Sequence, residues 1–182
     1  MKTSNKGFTL IELLIVIAVL GILAVAVLAA INPIEQINRS RDTGSRSDAE
    51  QLIGAIDRFY ASRGFYPWQT APGTAAAGVT WTQVTTAWTG VSTVPILTQL
   101  SQAGTEEIKQ SFVTRITSSG YNPLHIYNRG QQGDSYYVCF LPQSGAFRRE
   151  ANDRCSTGLP SDLQPISTII CGNTTNPYSC LP

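Results

Sequence analysis

The sequence predicts an α+β fold in which a long N-terminal α-helix spans a membrane and, over its distal half, packs on a small antiparallel β-sheet. Three observations predict it. Residues 13–31 are nineteen consecutive residues without a charge, almost all Leu, Ile, Val or Ala. At ~1.5 Å of rise per residue such a run reaches across most of a hydrocarbon core. The segment that follows carries Ala49, Leu52, Ile53, Ile56, Phe59 and Tyr60 at three- and four-residue spacing, one apolar stripe on one helix. Residues 123–127 (PLHIY) and 135–141 (SYYVCFL) are aromatic and β-branched and flank the turn-like NRGQQGD, the pattern of a hairpin.

Bulk composition narrows the class. The chain has 182 residues, 13 Lys and Arg against 12 acids, and net charge +1, so no basic field attracts nucleic acid. The part beyond the apolar run is rich in Thr, Ser, Gly, Gln and Pro, as suits an exposed, weakly charged module. All four cysteines follow position 138, which suits disulfides in an oxidising compartment. The positive-inside bias keeps Lys2 and Lys6 cytoplasmic and puts the cysteines outside, in agreement with that reading. A cleaved secretory signal fits less well, because the apolar run is about twice the usual ~7–15 residues and continues through helix-forming sequence. Cleavage on the cytoplasmic side, at Gly7, fits better.

Taken in order, the pattern predicts one helix from about Phe8 to about Ser62, ending at Gly64, with a bend at Pro33 and weak points at Gly21 and Gly44. Glu35–Arg39, Asp42–Arg46 and Arg46–Glu50 are spaced four apart, as for a solvated face laced with ion pairs or for charges that pair between subunits. Residues 64–91 read as loop with brief extended pieces, whose tryptophans anchor a core rather than form a carbohydrate patch. Residues 92–102 read as a short helix with Ser92 or Thr93 as cap and Pro95 in the first turn, and residues 105–110 as a second small helix or turn. In residues 135–141, Tyr136, Val138 and Phe140 share one face, and Tyr137, Cys139 and Leu141 the other. One face is expected to lie against the helix and the other to need cover. A third strand is expected at 145–149 or 166–170, and the tail CGNTTNPYSCLP reads as turns.

Four cysteines allow three pairings; the nearest-neighbour set, Cys139–Cys155 with Cys171–Cys180, is the first choice, with crossed and nested sets as alternatives. No CxxC pair and a single histidine, His125, argue against zinc. No phosphate loop, HExxH or nucleophile elbow is present, so no enzymatic activity and no cofactor are expected. Asp57, Asp134, Asp153 and Asp162 are candidate calcium ligands whose spacing fits no loop pattern. Asn38-Arg39-Ser40 and Asn173-Thr174-Thr175 match the glycosylation acceptor pattern. Glu12 is the most informative residue. A carboxylate in an apolar helix needs a partner unless it snorkels to the interface, and the amine of a neighbour's Phe8 is the partner that would select stagger between chains.

KGFTLIELLIVIAVLGILAVAV, at residues 6–27, closely resembles the N-terminus of type IV pilins and type II secretion pseudopilins. The resemblance implies cleavage between Gly7 and Phe8 by a membrane prepilin peptidase that also methylates the Phe8 amine. It implies that Glu12 serves subunit assembly. It further implies a homopolymeric filament with helices inside and heads outside, driven by an assembly ATPase and an inner-membrane platform protein. The parts are then a leader at 1–7, a membrane and filament-core helix at 8–31, its amphipathic continuation at 32–63, and an extracytoplasmic head at 64–182 whose C-terminal region holds Cys139, Cys155, Cys171 and Cys180 in disulfides. The subunit is expected in membrane lipid before assembly and in an extracellular or periplasm-spanning filament afterwards. Nucleic acid is a partner only indirectly, through uptake. The position of Pro33 departs from many pilins, where the proline comes earlier. The lack of a calcium loop and the presence of Glu12 favour a repeating pilus subunit; the alternative is a pseudopilin or minor pilin.

Overall fold

The computed structural model describes residues 7–30, 32–72, 78–91, 93–102, 105–131 and 133–182. Residues 1–6 of the expected leader at 1–7, the expected cap Ser92 and the end of the apolar run at Ile31 lie outside them. The chain divides into two compact units, residues 1–37 and 38–182.

The first unit carries α1 (Leu10–Ala30) and the start of α2 (Pro33–Arg63). The expected single helix is two. Asn32 is not helical; its side-chain Oδ1 accepts from the Glu35 amide at 3.3 Å, and Pro33 opens the new helix. Proline is suited to that first position because its missing N–H has no helical partner there, and asparagine is a favoured cap. Gly21 and Gly44, read as weak points, both lie in uninterrupted helix.

The second unit is built on a four-stranded antiparallel sheet, β1 (Val79–Gln83), β2 (Leu124–Asn128), β3 (Tyr136–Phe140) and β4 (Ser179–Leu181), in that spatial order. The predicted hairpin is β2–β3, in register from Leu124 opposite Phe140 to Asn128 opposite Tyr136. On one face Leu124, Ile126, Tyr136, Val138 and Phe140 join Ala49, Leu52, Ile56 and Phe59 of α2 in the main core, with α3 (Ile96–Ser101) and α4 (Gln110–Ile116) closing it. Trp68 and Trp88 are buried in this core, as expected of anchors. On the other face Tyr127, Tyr137, Cys139 and Cys180 pack with Leu163, Ile166 and Ile170. The second face thus finds its cover in the C-terminal segment, and every residue of β3 is buried.

Several local expectations are corrected. Residues 145–149 open α5 (Gly145–Thr157), and residues 166–170 lie across a 3-10 turn and α6 (Ser167–Cys171), so neither is the third strand. The reason for α5 is local: the Ser144 hydroxyl accepts from the Phe147 amide at the N-cap, Glu150 and Arg154 pair four apart, and Gly158, at φ +105°, ends the helix. The tail is not all turn, since residues 179–181 form β4. Pro95 precedes α3 at its N-cap with no side-chain cap, and of residues 105–110, read as helix or turn, the first five hold turn and bends while Gln110 opens α4.

The disulfides join Cys139 to Cys180 and Cys155 to Cys171, the nested set, in place of the nearest-neighbour set. β4 returns beside β3 with Cys180 directly opposite Cys139, their Cα atoms 4.0 Å apart, so sheet register selects the outer pair. The inner pair spans α5 and α6.

Candidate functional site

At the N-terminus, Gly7, Phe8 and Thr9 precede α1 and are exposed, and no residue of Leu10–Ala29 is buried. The helix is long and apolar enough over Leu10–Ala29 to cross a membrane. Its first turn closes through a reciprocal pair of bonds. The Thr9 amide and hydroxyl donate to Glu12 Oε2 at 2.9 and 2.6 Å, and the Glu12 amide donates to the Thr9 hydroxyl at 3.3 Å. This is a capping box, and Thr9-x-x-Glu12 is the sequence signal that could have found it. Glu12 therefore holds an intrachain partner, Thr9, while its Oε1 atom makes no hydrogen bond to a described residue. The carboxylate can keep its own helix start and still present one oxygen to a second donor.

A second set of polar residues lies on α2. Asp42, Ser45 and Asp48, spaced three apart on one face, are all buried. Asp42 accepts from the Gln143 amide at 2.9 Å, the Ser144 amide at 2.7 Å and the Ser144 hydroxyl at 2.6 Å. Ser45 Oγ accepts from Asn122 at 3.3 Å, and Asp48 accepts from Arg115 at 2.7 Å and from the Tyr121 hydroxyl. Arg46 pairs with Glu150 at 2.5 Å. The expected Asp42–Arg46 and Arg46–Glu50 pairs are therefore absent among the described residues. For Asp42, fixed donors outcompete the helical neighbour Arg46 because this buried carboxylate gains three short bonds from one turn.

The candidate ligands and catalytic groups do not converge. Asp57 accepts from the Tyr136 hydroxyl at 2.6 Å, Asp134 is held by Arg129, and Asp162 accepts from the Tyr137 hydroxyl and the Ser135 amide. Asp153 is exposed on α5. Among the described residues no group of three His, Cys, Asp or Glu could hold a metal ion. His125 stacks on Trp81 at 4.9 Å and meets the edge of Tyr178; burial pushes its pKa below the usual histidine value. Burial and the Asp162 carboxylate push the Tyr137 hydroxyl up to about 12, and burial foremost raises Tyr121 and Tyr136 as well. Of the two acceptor asparagines, Asn38 is half-buried on α2, and the exposed Asn173 spends its side-chain oxygen on Thr175 and the Asn176 amide.

Residues 2–28 match the prokaryotic N-terminal methylation motif family. The fimbrial protein of Neisseria meningitidis serogroup A / serotype 4A is 38% identical over 175 residues, covering 92% of each chain. Type IV major pilin protein PilE1 of Neisseria gonorrhoeae is 30% identical over 149 residues, 78% of this chain and 79% of that one. Fimbrial protein EcpC of Eikenella corrodens is 39% identical over 79 residues, 43% of this chain and half the length of that protein. No solved structure matches the chain.

Proposed function

This chain belongs to the type IV pilin family, and from that premise we propose that it is the repeating subunit of a type IV pilus-like filament, polymerised through α1. A peptidase of the prepilin class cleaves between Gly7 and Phe8 and methylates the new Phe8 amine. The precursor waits in the cytoplasmic membrane with its leader inside. An ATPase and a platform protein of the inner membrane then drive subunits out of lipid into the growing fibre. The observation that carries this reading is that none of the apolar residues over Leu10–Ala29 is buried within the chain's own fold. Such a helix is stable only in lipid or among copies of itself, and its apolar sides serve both surroundings.

Glu12 supplies what the apolar surface lacks, a register. The free Oε1 atom accepts from the Phe8 amine of a neighbouring chain, which neutralises both charges and fixes the axial step between subunits. The acid also binds Thr9, so capture of a neighbour does not require it to abandon its own helix cap. The test is to shear surface fibres from cells carrying the wild-type or Glu12→Ala chain and to sequence the mature N-terminus. The expected result is N-methylated Phe8 in wild-type fibres, and a processed but unassembled chain in the variant. Abundant fibres from Glu12→Ala would overturn the role of the acid, and a wild-type chain found solely as membrane monomer would overturn the filament.

A further inference from the structure

Outside the assembly helix, the C-terminal segment encloses a cavity of about 300 Å³ against the sheet face opposite α2. Its walls come from α5, the 158–163 segment, α6 and the β3–β4 edge, and Ala151, Leu163 and Ile170 make them apolar. We propose that this cavity is a binding site for an uncharged, ring-sized apolar molecule carrying one hydrogen-bonding oxygen.

Four features lead there. The first is rigidity: Cys155 and Cys180 stand in the wall, each tied across to another element, Cys155 to α6 and Cys180 to β3. Walls joined covalently in pairs keep a preformed space, and a preformed site avoids the cost of ordering itself around a ligand. The second is charge. Arg154 is the cation at the wall, and its guanidinium already donates to the Cys180 carbonyl and to Glu150, both at 2.8 Å. An anionic ligand would have to compete with both bonds, so an uncharged one fits better. The third is the polar group left over. The Tyr137 hydroxyl is held by Asp162, whereas the Tyr178 hydroxyl makes no hydrogen bond to any described residue. It is the wall's available partner for one oxygen. The fourth is size, since this volume admits a ligand of roughly ten non-hydrogen atoms at ordinary packing.

The probe is 2-naphthol, titrated into the detergent-solubilised full chain while the methyl signals of Ile170 and Leu163 are followed by NMR. Saturable shifts at these methyls are expected, with Ile96 and Leu124 of the other core unmoved, which separates cavity binding from partition into the micelle. Ala151→Met fills the space and is expected to abolish the shifts. Leu159→Trp, which blocks the cavity from a half-exposed position, does the same should Ala151→Met not fold. Tyr178→Phe is expected to weaken binding about tenfold, the effect of one hydrogen bond. Absence of saturation in wild type, or unchanged titrations in the folded filled variants, overturns the site; unchanged affinity in Tyr178→Phe overturns the assigned oxygen. The measurement uses unassembled chain, so its outcome is independent of filament formation.

Discussion

Asp42 shows what one residue contributes when its neighbours are fixed. Its carboxylate has no cation bonded to it among the described residues and relies on two backbone amides and one hydroxyl from the turn that starts α5. Because each oxygen meets a donor, Asp42→Asn sets an NH2 group against an N–H and leaves buried donors unsatisfied. The expected loss is about 2–3 kcal/mol, read as a fall in the thermal midpoint of roughly 5–10 °C. Asp42→Ala loses at least as much. His125 makes a pH-dependent contribution of opposite character. Burial depresses its folded-state pKa, so the unfolded chain binds the proton first as pH falls. Stability from this residue is present above about pH 6.5 and declines as pH drops through that value toward the folded pKa. Denaturant titrations at pH 7 and pH 5 are expected to show the decline in wild type and a smaller one in His125→Phe, which keeps a ring against Trp81. At the alkaline end the raised Tyr137 hydroxyl acts in reverse: its contribution is complete below about pH 10, the ordinary tyrosine value, and is lost as pH rises toward about 12.

Between elements, the informative places are the ones where a local signal had two readings. Proline within an apolar-periodic stretch predicts either a bend or a new start, and Asn32 decides for a start by capping the Glu35 amide. Asn32→Ala is expected to cost about 1 kcal/mol at that end, so the Glu35 amide should exchange with solvent about fivefold faster, measured by hydrogen–deuterium exchange. An unchanged rate would mean that Pro33 alone sets the start. Residues 145–149, expected as a strand, are instead the first turn of a helix. The stronger signals were the cap at Ser144 and the terminator at Gly158, which bracket α5 as a unit. The β2–β3 hairpin was legible because aromatic and β-branched residues in both strands agree with the turn residues between them. β4 was not, because three residues of a cysteine-bearing tail carry no period.

For the whole molecule, the two disulfides and the α2 contacts hold the C-terminal segment to the sheet. Loop closure in the unfolded chain predicts that the outer bridge, with a sequence separation of 41, contributes more than the inner, with 16. The expected losses are about 4 kcal/mol for the Cys139→Ser/Cys180→Ser pair and about 3 kcal/mol for Cys155→Ser/Cys171→Ser, compared by denaturant midpoints. Equal losses would show that native packing, rather than chain entropy, dominates. What the sequence determined by itself is the part whose physics is local: an apolar run long enough for lipid, a Gly7-Phe8 pair behind two lysines, an acid at position 12, a helix stripe and a hairpin. Each depends on residues adjacent in the chain, so composition and period suffice. Tertiary structure alone decided which cysteines meet, where Asp42 and Asp48 find donors, and that α5 and α6 cover the second sheet face. Those outcomes depend on register between segments distant in sequence, and no local period encodes which donor or sulfur a folded chain will bring within reach.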